Sequence, residues 1–191
     1  MTFLISKHRV VAIALCLMAT VSMNAQVSLQ AGEHHSALPS QMQALVGQSL
    51  SKLQQPSPEA FLNCIAELKR IDAMFPDSVL PKYQTALQSL NFCVMNPHAE
   101  QTGNLLADTE QTISKMEKMK GADLSDVCTL RGFLYMVRIV QDPARNGQRY
   151  YLQVMENYEK ALKTNPENQL AKQLQQQFFE GMKQQTGKQV P

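Results

Sequence analysis

The 191-residue chain predicts an all-α fold, an irregular stack of antiparallel helical hairpins with six to seven helices. Three observations predict it. From Pro39 onward, apolar residues recur at spacings of three and four, the period of one helix face. Proline, Asn-Pro or glycine interrupts each periodic segment, so the connections are short. No segment alternates apolar and polar residues as a half-buried strand does. Amphipathic helices joined by short links bury their stripes by folding back on their neighbours.

The N-terminus is of another kind. Lys7 and Arg9 precede an apolar run from Val10 to Val21, and Met23-Asn24-Ala25 leads to Gln26. That order is the one a secretory signal peptide has, and the run falls short of the roughly 20 residues of a membrane span. Residues 1–25 are read as a signal peptide cleaved near Ala25-Gln26, giving an exported, periplasmic or secreted protein with no membrane insertion after cleavage. Cys16 lies inside the apolar run and counts as part of it. Cleavage leaves 166 residues, enough for one domain. Lys7 and Arg9 leave with the signal, so 16 basic residues face 16 acidic ones. A chain with no net charge lacks the broad positive field that nucleic acid requires.

Residues 26–38 form an aperiodic, flexible leader. Its His34-His35 pair cannot close a metal site alone, and the next histidine, His98, is distant. The helical domain spans 39–186. Its first helix, Pro39 to Gln54, turns Met42, Leu45, Val46, Leu50 and Leu53 to one side. Ser57 caps the second, with Pro58 in the first turn, where a missing N–H costs nothing; Phe61, Cys64, Ile65, Leu68, Ile71 and Phe75 form its stripe. The third, Ser78 to Met95, carries Tyr83, Leu87, Leu90 and Val94, flanked by Ala86 and Cys93. The fourth, Pro97 to Lys120, presents Leu105, Leu106, Thr109, Ile113, Met116 and Lys120, and Gly121 follows where a positive φ is often needed. Asp123 caps the fifth, whose nearly all-round apolar surface (Leu124, Val127, Cys128, Leu130, Leu134, Tyr135, Val137, Ile139) places it at the centre of the packing.

Asp142 to Gln148 contains Pro143 and Asn146-Gly147 and reads as a loop between two helices. The next helix buries Tyr151, Val154, Met155, Tyr158, Ala161 and Leu162, and pairs Glu156 with Lys160 and Glu159 with Lys163 on its wet face. Asn165-Pro166 ends it. The last helix, Glu167 to about Gln185, buries Leu170, Ala171, Leu174, Phe178 and Met182, and residues 187–191 form a disordered tail.

Tyr158 and the run Ala161-Leu162-Lys163-Thr164-Asn165-Pro166 resemble the second helix and closing proline of a tetratricopeptide repeat. Gly132 and Tyr135 resemble the glycine and tyrosine of that family's first helix. The two halves are about ten residues further apart than the family's pattern, the surplus falling on Asp142–Gln148. A fainter echo joins Cys64, Leu68, Ile71 and Pro76 to Tyr83 and Ala86-Leu87. The likeness covers 57–95 loosely and 124–175 better, and the chain as a whole resembles small exported tetratricopeptide-like proteins of Bacteroidota, whose signals often end in Asn-Ala-Gln. The resemblance implies stacked hairpins and an interaction role; the competing reading is an irregular bundle sharing one such hairpin. Tyr158, Ala161 and Pro166 are packing and turn residues and bring no chemistry with them.

No Gly-rich phosphate loop, His-Glu-x-x-His helix or paired-cysteine metal motif is present, and neither cofactor nor metal is implied. Cys64, Cys93 and Cys128 lie among apolar residues and read as buried free thiols; Cys64 and Cys93 fall about five residues out of level across their hairpin, too far for a bridge. Lys115, Lys118 and Lys120 are interleaved with Glu110 and Glu117, a solvated face rather than a nucleic-acid surface. The sequence therefore predicts a non-enzymatic scaffold for a protein or peptide partner, with oligomeric state open. Its candidate surface is Arg138, Arg145, Asn146, Gln148 and Arg149, since arginine suits carboxylate and planar polar partners. The alternative is a periplasmic ligand-binding protein or enzyme whose site joins groups distant in sequence.

Overall fold

The structure, a computed structural model, describes residues 37–186. The segments expected to be a signal peptide (1–25), most of a leader (26–36) and a tail (187–191) lie outside the described residues. Among those described there are seven α-helices and no strand: α1 (Ala37–Ser51), α2 (Pro58–Met74), α3 (Val79–Met95), α4 (Thr102–Met116), α5 (Leu124–Gln141), α6 (Pro143–Thr164) and α7 (Gln169–Thr186), with one 3₁₀ turn at Lys52–Gln54. The all-α prediction holds, and no described helix is long and apolar enough to cross a membrane.

Each helix packs on its successor and, along the odd-numbered series, on the next but one: α1 on α3, α3 on α5, α5 on α7. Hairpin direction follows from the ion pairs. Glu110 pairs with Arg138 and Glu117 with Arg131, so numbers rise along α4 as they fall along α5. The same reversal joins α5 to α6, where Ser125 meets Ala161 and Arg138 meets Tyr150. α5 and α6 share the most extensive interface of the molecule.

The turn chemistry read from sequence is largely in place. Ser57 Oγ accepts from Ala60 N at 3.1 Å and Asp123 Oδ1 from Asp126 N at 3.0 Å, the capping that helix starts require. Gly121 has φ of 89°, a conformation costly for any other residue there. The α2 stripe is buried apart from half-buried Phe75; on α6, Val154, Tyr158 and Ala161 are buried and Tyr151, Met155 and Leu162 half-buried. One main core runs from Phe61 of α2 to Phe178 of α7, and a smaller one joins Met42 and Val46 to Cys64, Leu68 and Ile71.

Several expectations change. The leader's last two residues, Ala37 and Leu38, are helical. α4 starts at Thr102, not Pro97, because the chain first makes a turn in which Thr102 Oγ1 donates to Asn96 O at 2.6 Å. Lys120 is exposed beyond its end. Asp142–Gln148 is not a loop. Asp142 is the only residue between α5 and α6; its carboxylate accepts from Arg145 N at 3.1 Å, Pro143 takes the first helical position, and Asn146-Gly147 continue the helix. A capping aspartate followed by proline is a helix start, and it outweighs one glycine's propensity cost of about 1 kcal/mol. The surplus residues thus lengthen α6 at its N-terminal end.

α5 is central as predicted, apart from Leu124, which is exposed. α3 is equally central. Lys82, Gln84, Thr85, Gln88, Ser89 and Asn91 are all buried on it, because α1, α2, α4 and α5 surround it. Its carboxamides satisfy one another: Gln88 Nε2 donates to Gln84 Oε1 at 3.3 Å and Asn91 Nδ2 to Gln88 Oε1 at 3.1 Å. Lys82 reaches Asp72 at 2.6 Å and the carbonyl of Pro76, closing the α2–α3 turn. Neither Glu156–Lys160 nor Glu159–Lys163 forms an ion pair, and exposed pairs of that kind contribute a few tenths of a kcal/mol at most.

Cys64, Cys93 and Cys128 are buried and free. Ser49 Oγ donates to Cys64 Sγ at 3.4 Å, and Cys93 Sγ to Thr102 O at 3.8 Å. Burial raises all three thiol pKa values, that of Cys93 to about 12. The thiolate is the reacting species. A disulfide reagent at pH 8 is therefore expected to titrate none of the three in the native protein and all three in denaturant. Rapid labelling of any one in the native state would contradict the packing described.

Candidate partner-binding site

Two local rules assemble a cluster at the α5–α6 junction. Tyr135 and Arg138 lie three apart on α5 and so share a face. The single-residue link then folds α6 back at once, which brings Tyr150, in its third turn, level with Arg138. The rings of Tyr135 and Tyr150 stack at 5.3 Å with 14° between their planes. Arg138 is held from two sides: Nη2 donates to Glu110 Oε2 of α4 at 2.6 Å, and Nη1 to the Tyr150 hydroxyl at 3.3 Å. Asn146 Nδ2 donates to Arg138 O at 2.7 Å, a second donor to a carbonyl that also accepts from Asp142 N at 3.3 Å. The Arg149 guanidinium carbon lies 5.1 Å from the Tyr150 ring centroid and that of Arg138 5.5 Å, both within cation–π range.

Of the five residues read from sequence, Arg138 and Arg149 thus converge on Tyr150, and Asn146 holds the Arg138 backbone. Arg145 and Gln148 are exposed beside them on α6. Arg138 and Asn146 serve chiefly to hold the junction. Arg149 and Arg145 are exposed and in no ion pair among the described residues. Sequence reasoning missed Glu110, Tyr135 and Tyr150. The Tyr135–Arg138 spacing was an available signal; Glu110, 28 residues from Arg138, gave none.

A second polar cluster sits at the opposite end of the same hairpin. Asn168 is buried, and its Nδ2 lies 2.9 Å from Ser125 Oγ, 3.0 Å from Asp126 Oδ1 and 3.4 Å from Thr129 Oγ1. Its Oδ1 accepts from Ala171 N at 3.0 Å, capping α7, and Ser125 Oγ donates to Ala161 O at 2.9 Å. Burial raises the Asp126 carboxyl, with Asp123 adding to it, and burial raises the neighbouring Tyr83 phenol. These hydrogen bonds tie α5, α6 and α7 together and leave no polar atom of Asn168 turned toward a ligand.

No group of three or more His, Cys, Asp or Glu among the described residues could hold a metal ion. An open cleft of about 460 Å³ runs along α7, lined by Lys172, Gln175, Gln176, Phe179, Glu180 and Lys183. One helix supplies its whole lining, and Phe179 of that lining neighbours Phe178, which packs on Tyr151 of α6. What the α5–α6 junction offers chemically is anion recognition, by guanidinium groups beside an aromatic platform. Compared with protein-family models, curated proteins and solved structures, the chain finds no match.

Proposed function

We propose that this is an exported, non-enzymatic helical scaffold that binds a protein partner through the α5–α6 junction, with Arg145, Gln148 and Arg149 as contact residues and Arg138 and Asn146 as their support. One observation carries the reading: Arg149 lies against a ring that Tyr135 and Arg138 fix in place, yet is itself exposed and without a carboxylate. Arginine and aromatic side chains are the groups interfaces favour. The stacked-hairpin resemblance supports the same role, and the signal-like N-terminus supports export.

The test is chemical crosslinking with mass spectrometry in the native host. Wild-type protein is expected to give a reproducible partner adduct through the first turns of α6, lost when Arg145 and Arg149 are both changed to glutamate. Both are exposed, so the doubly substituted protein is expected to keep its circular dichroism spectrum. Adducts unchanged by the double substitution would refute the assigned surface. A mature chain starting elsewhere than near Gln26, or retained in the cytoplasm, would refute the export reading.

A further inference from the structure

We infer that the partner presents an acidic segment to this surface, with carboxylates on alternate residues of an extended chain. The inference rests on the interaction reading above and adds the chemistry of the partner.

The support of Arg149 is layered. Glu110 holds Arg138, Arg138 donates to the Tyr150 hydroxyl, and Tyr135 covers the Tyr150 ring. A guanidinium beside such a ring keeps its edge N–H groups free, and their fork matches a carboxylate in two parallel hydrogen bonds. Holding the group in place before binding reduces the ordering cost that a free arginine would carry. Two other arginines differ, while Arg70, exposed on α2, is likewise in no ion pair among the described residues. Arg131 has Glu117 at 2.9 Å and Arg138 has Glu110 at 2.6 Å. Arg145 and Arg149 have no such partner among the described residues, and a carboxylate is what each lacks.

Spacing sets the pattern of the partner. Arg145 and Arg149 are four residues apart on one helix, about 6 Å along its axis at a rise of about 1.5 Å per residue. Alternate residues of an extended chain lie on one side, about 6.6 Å apart. A Glu-x-Glu segment therefore sets one carboxylate against each guanidinium. A phosphate polymer fits less well. With 18 basic and 16 acidic residues the chain has little excess charge to offer a continuous polyanion.

Fluorescence anisotropy with the purified protein tests this, using a labelled peptide of alternating Glu and Ala, its Gln-Ala counterpart and a thymidine oligonucleotide of similar length. The Glu-Ala peptide is expected to bind and the Gln-Ala peptide not. Arg149→Ala should weaken binding at least tenfold, Arg149→Lys should fall in between because it keeps charge without the fork, and Arg145→Ala should cost several-fold. No binding of the Glu-Ala peptide, binding indifferent to Arg149→Ala, or tighter binding of the oligonucleotide would overturn the inference. The crosslinking experiment separates the two proposals. An adduct abolished by the double substitution, with no affinity for the acidic peptide, leaves the scaffold reading standing and removes this one.

Discussion

Tyr158→Ala is expected to destabilise the protein by about 3–5 kcal/mol, the range for deleting a fully buried aromatic ring. Tyr158 has no exposed surface, and its ring lies directly on the backbone of α5 at Gly132. A β-carbon at residue 132 would stand 2.7 Å from Tyr158 Cε1 and 2.9 Å from Cδ1. Ordinarily a helical glycine changed to alanine gains about 1 kcal/mol. Here overpacking of about 1–3 kcal/mol opposes that gain, and a sealed ring has nowhere to swing. Gly132→Ala should therefore lower stability, while Gly47→Ala, with nothing within 4 Å of the added carbon, should raise it. Urea unfolding followed by circular dichroism measures both. If Gly132→Ala is the more stable protein, the ring does not lie where described. With Tyr158→Leu as background, the penalty of Gly132→Ala should shrink, since the obstructing ring carbons are gone.

The second large effect is at Asn168. Asn168→Ala removes the cap of α7, worth about 1 kcal/mol, and strips Asp126 and Ser125 of a buried donor, worth about 1–3 kcal/mol more. A loss of about 2–4 kcal/mol is expected. Asn168→Asp keeps the cap acceptor but sets a second carboxylate against Asp126. The Asp126 carboxyl is already raised by burial and by Asp123, and a new anion raises it further. A carboxyl raised in the folded state contributes stability at acid pH and loses it as pH rises through the folded value. The deficit of Asn168→Asp against wild type should thus be smallest near pH 4 and grow toward pH 7, as read by melting temperature across that interval. A deficit independent of pH would show that the two carboxyl groups do not interact.

Most of the fold was legible because most of its signals are local. The stripes of α2 and α6, the caps at Ser57 and Asp123, and the positive φ at Gly121 each depend on residues within one or two turns. At the start of α6 two local signals conflict: Asn146-Gly147 is a strong turn pair in isolation, but the capping Asp142 followed by Pro143 starts a helix that runs through it. The burial of Gln84, Gln88 and Asn91 could not be read at all. Polar residues at helical spacing look like a solvated face until four neighbouring helices are known to surround them. Asn168 sits 42 residues from Asp126 and 43 from Ser125, so no local pattern announces their contact. The candidate site was half legible. Proximity in sequence gathered Arg138, Asn146 and Arg149, whereas Glu110 and the Tyr135–Tyr150 stack needed the chain to turn back on itself.

That reversal across the lone residue Asp142 bears on how the chain folds. Closing a short loop costs less conformational entropy than closing a long one, and α5 and α6 gain the most extensive interface for that small cost. The principal packing in the rest of the molecule joins a helix to its first or second neighbour along the chain. Such a topology keeps contacts close in sequence, the condition under which helical domains fold fastest. A chain that emerges N-terminus first can then dock each helix soon after it appears, and α7 meets a finished α5–α6 hairpin with Asn168 placed to fasten it.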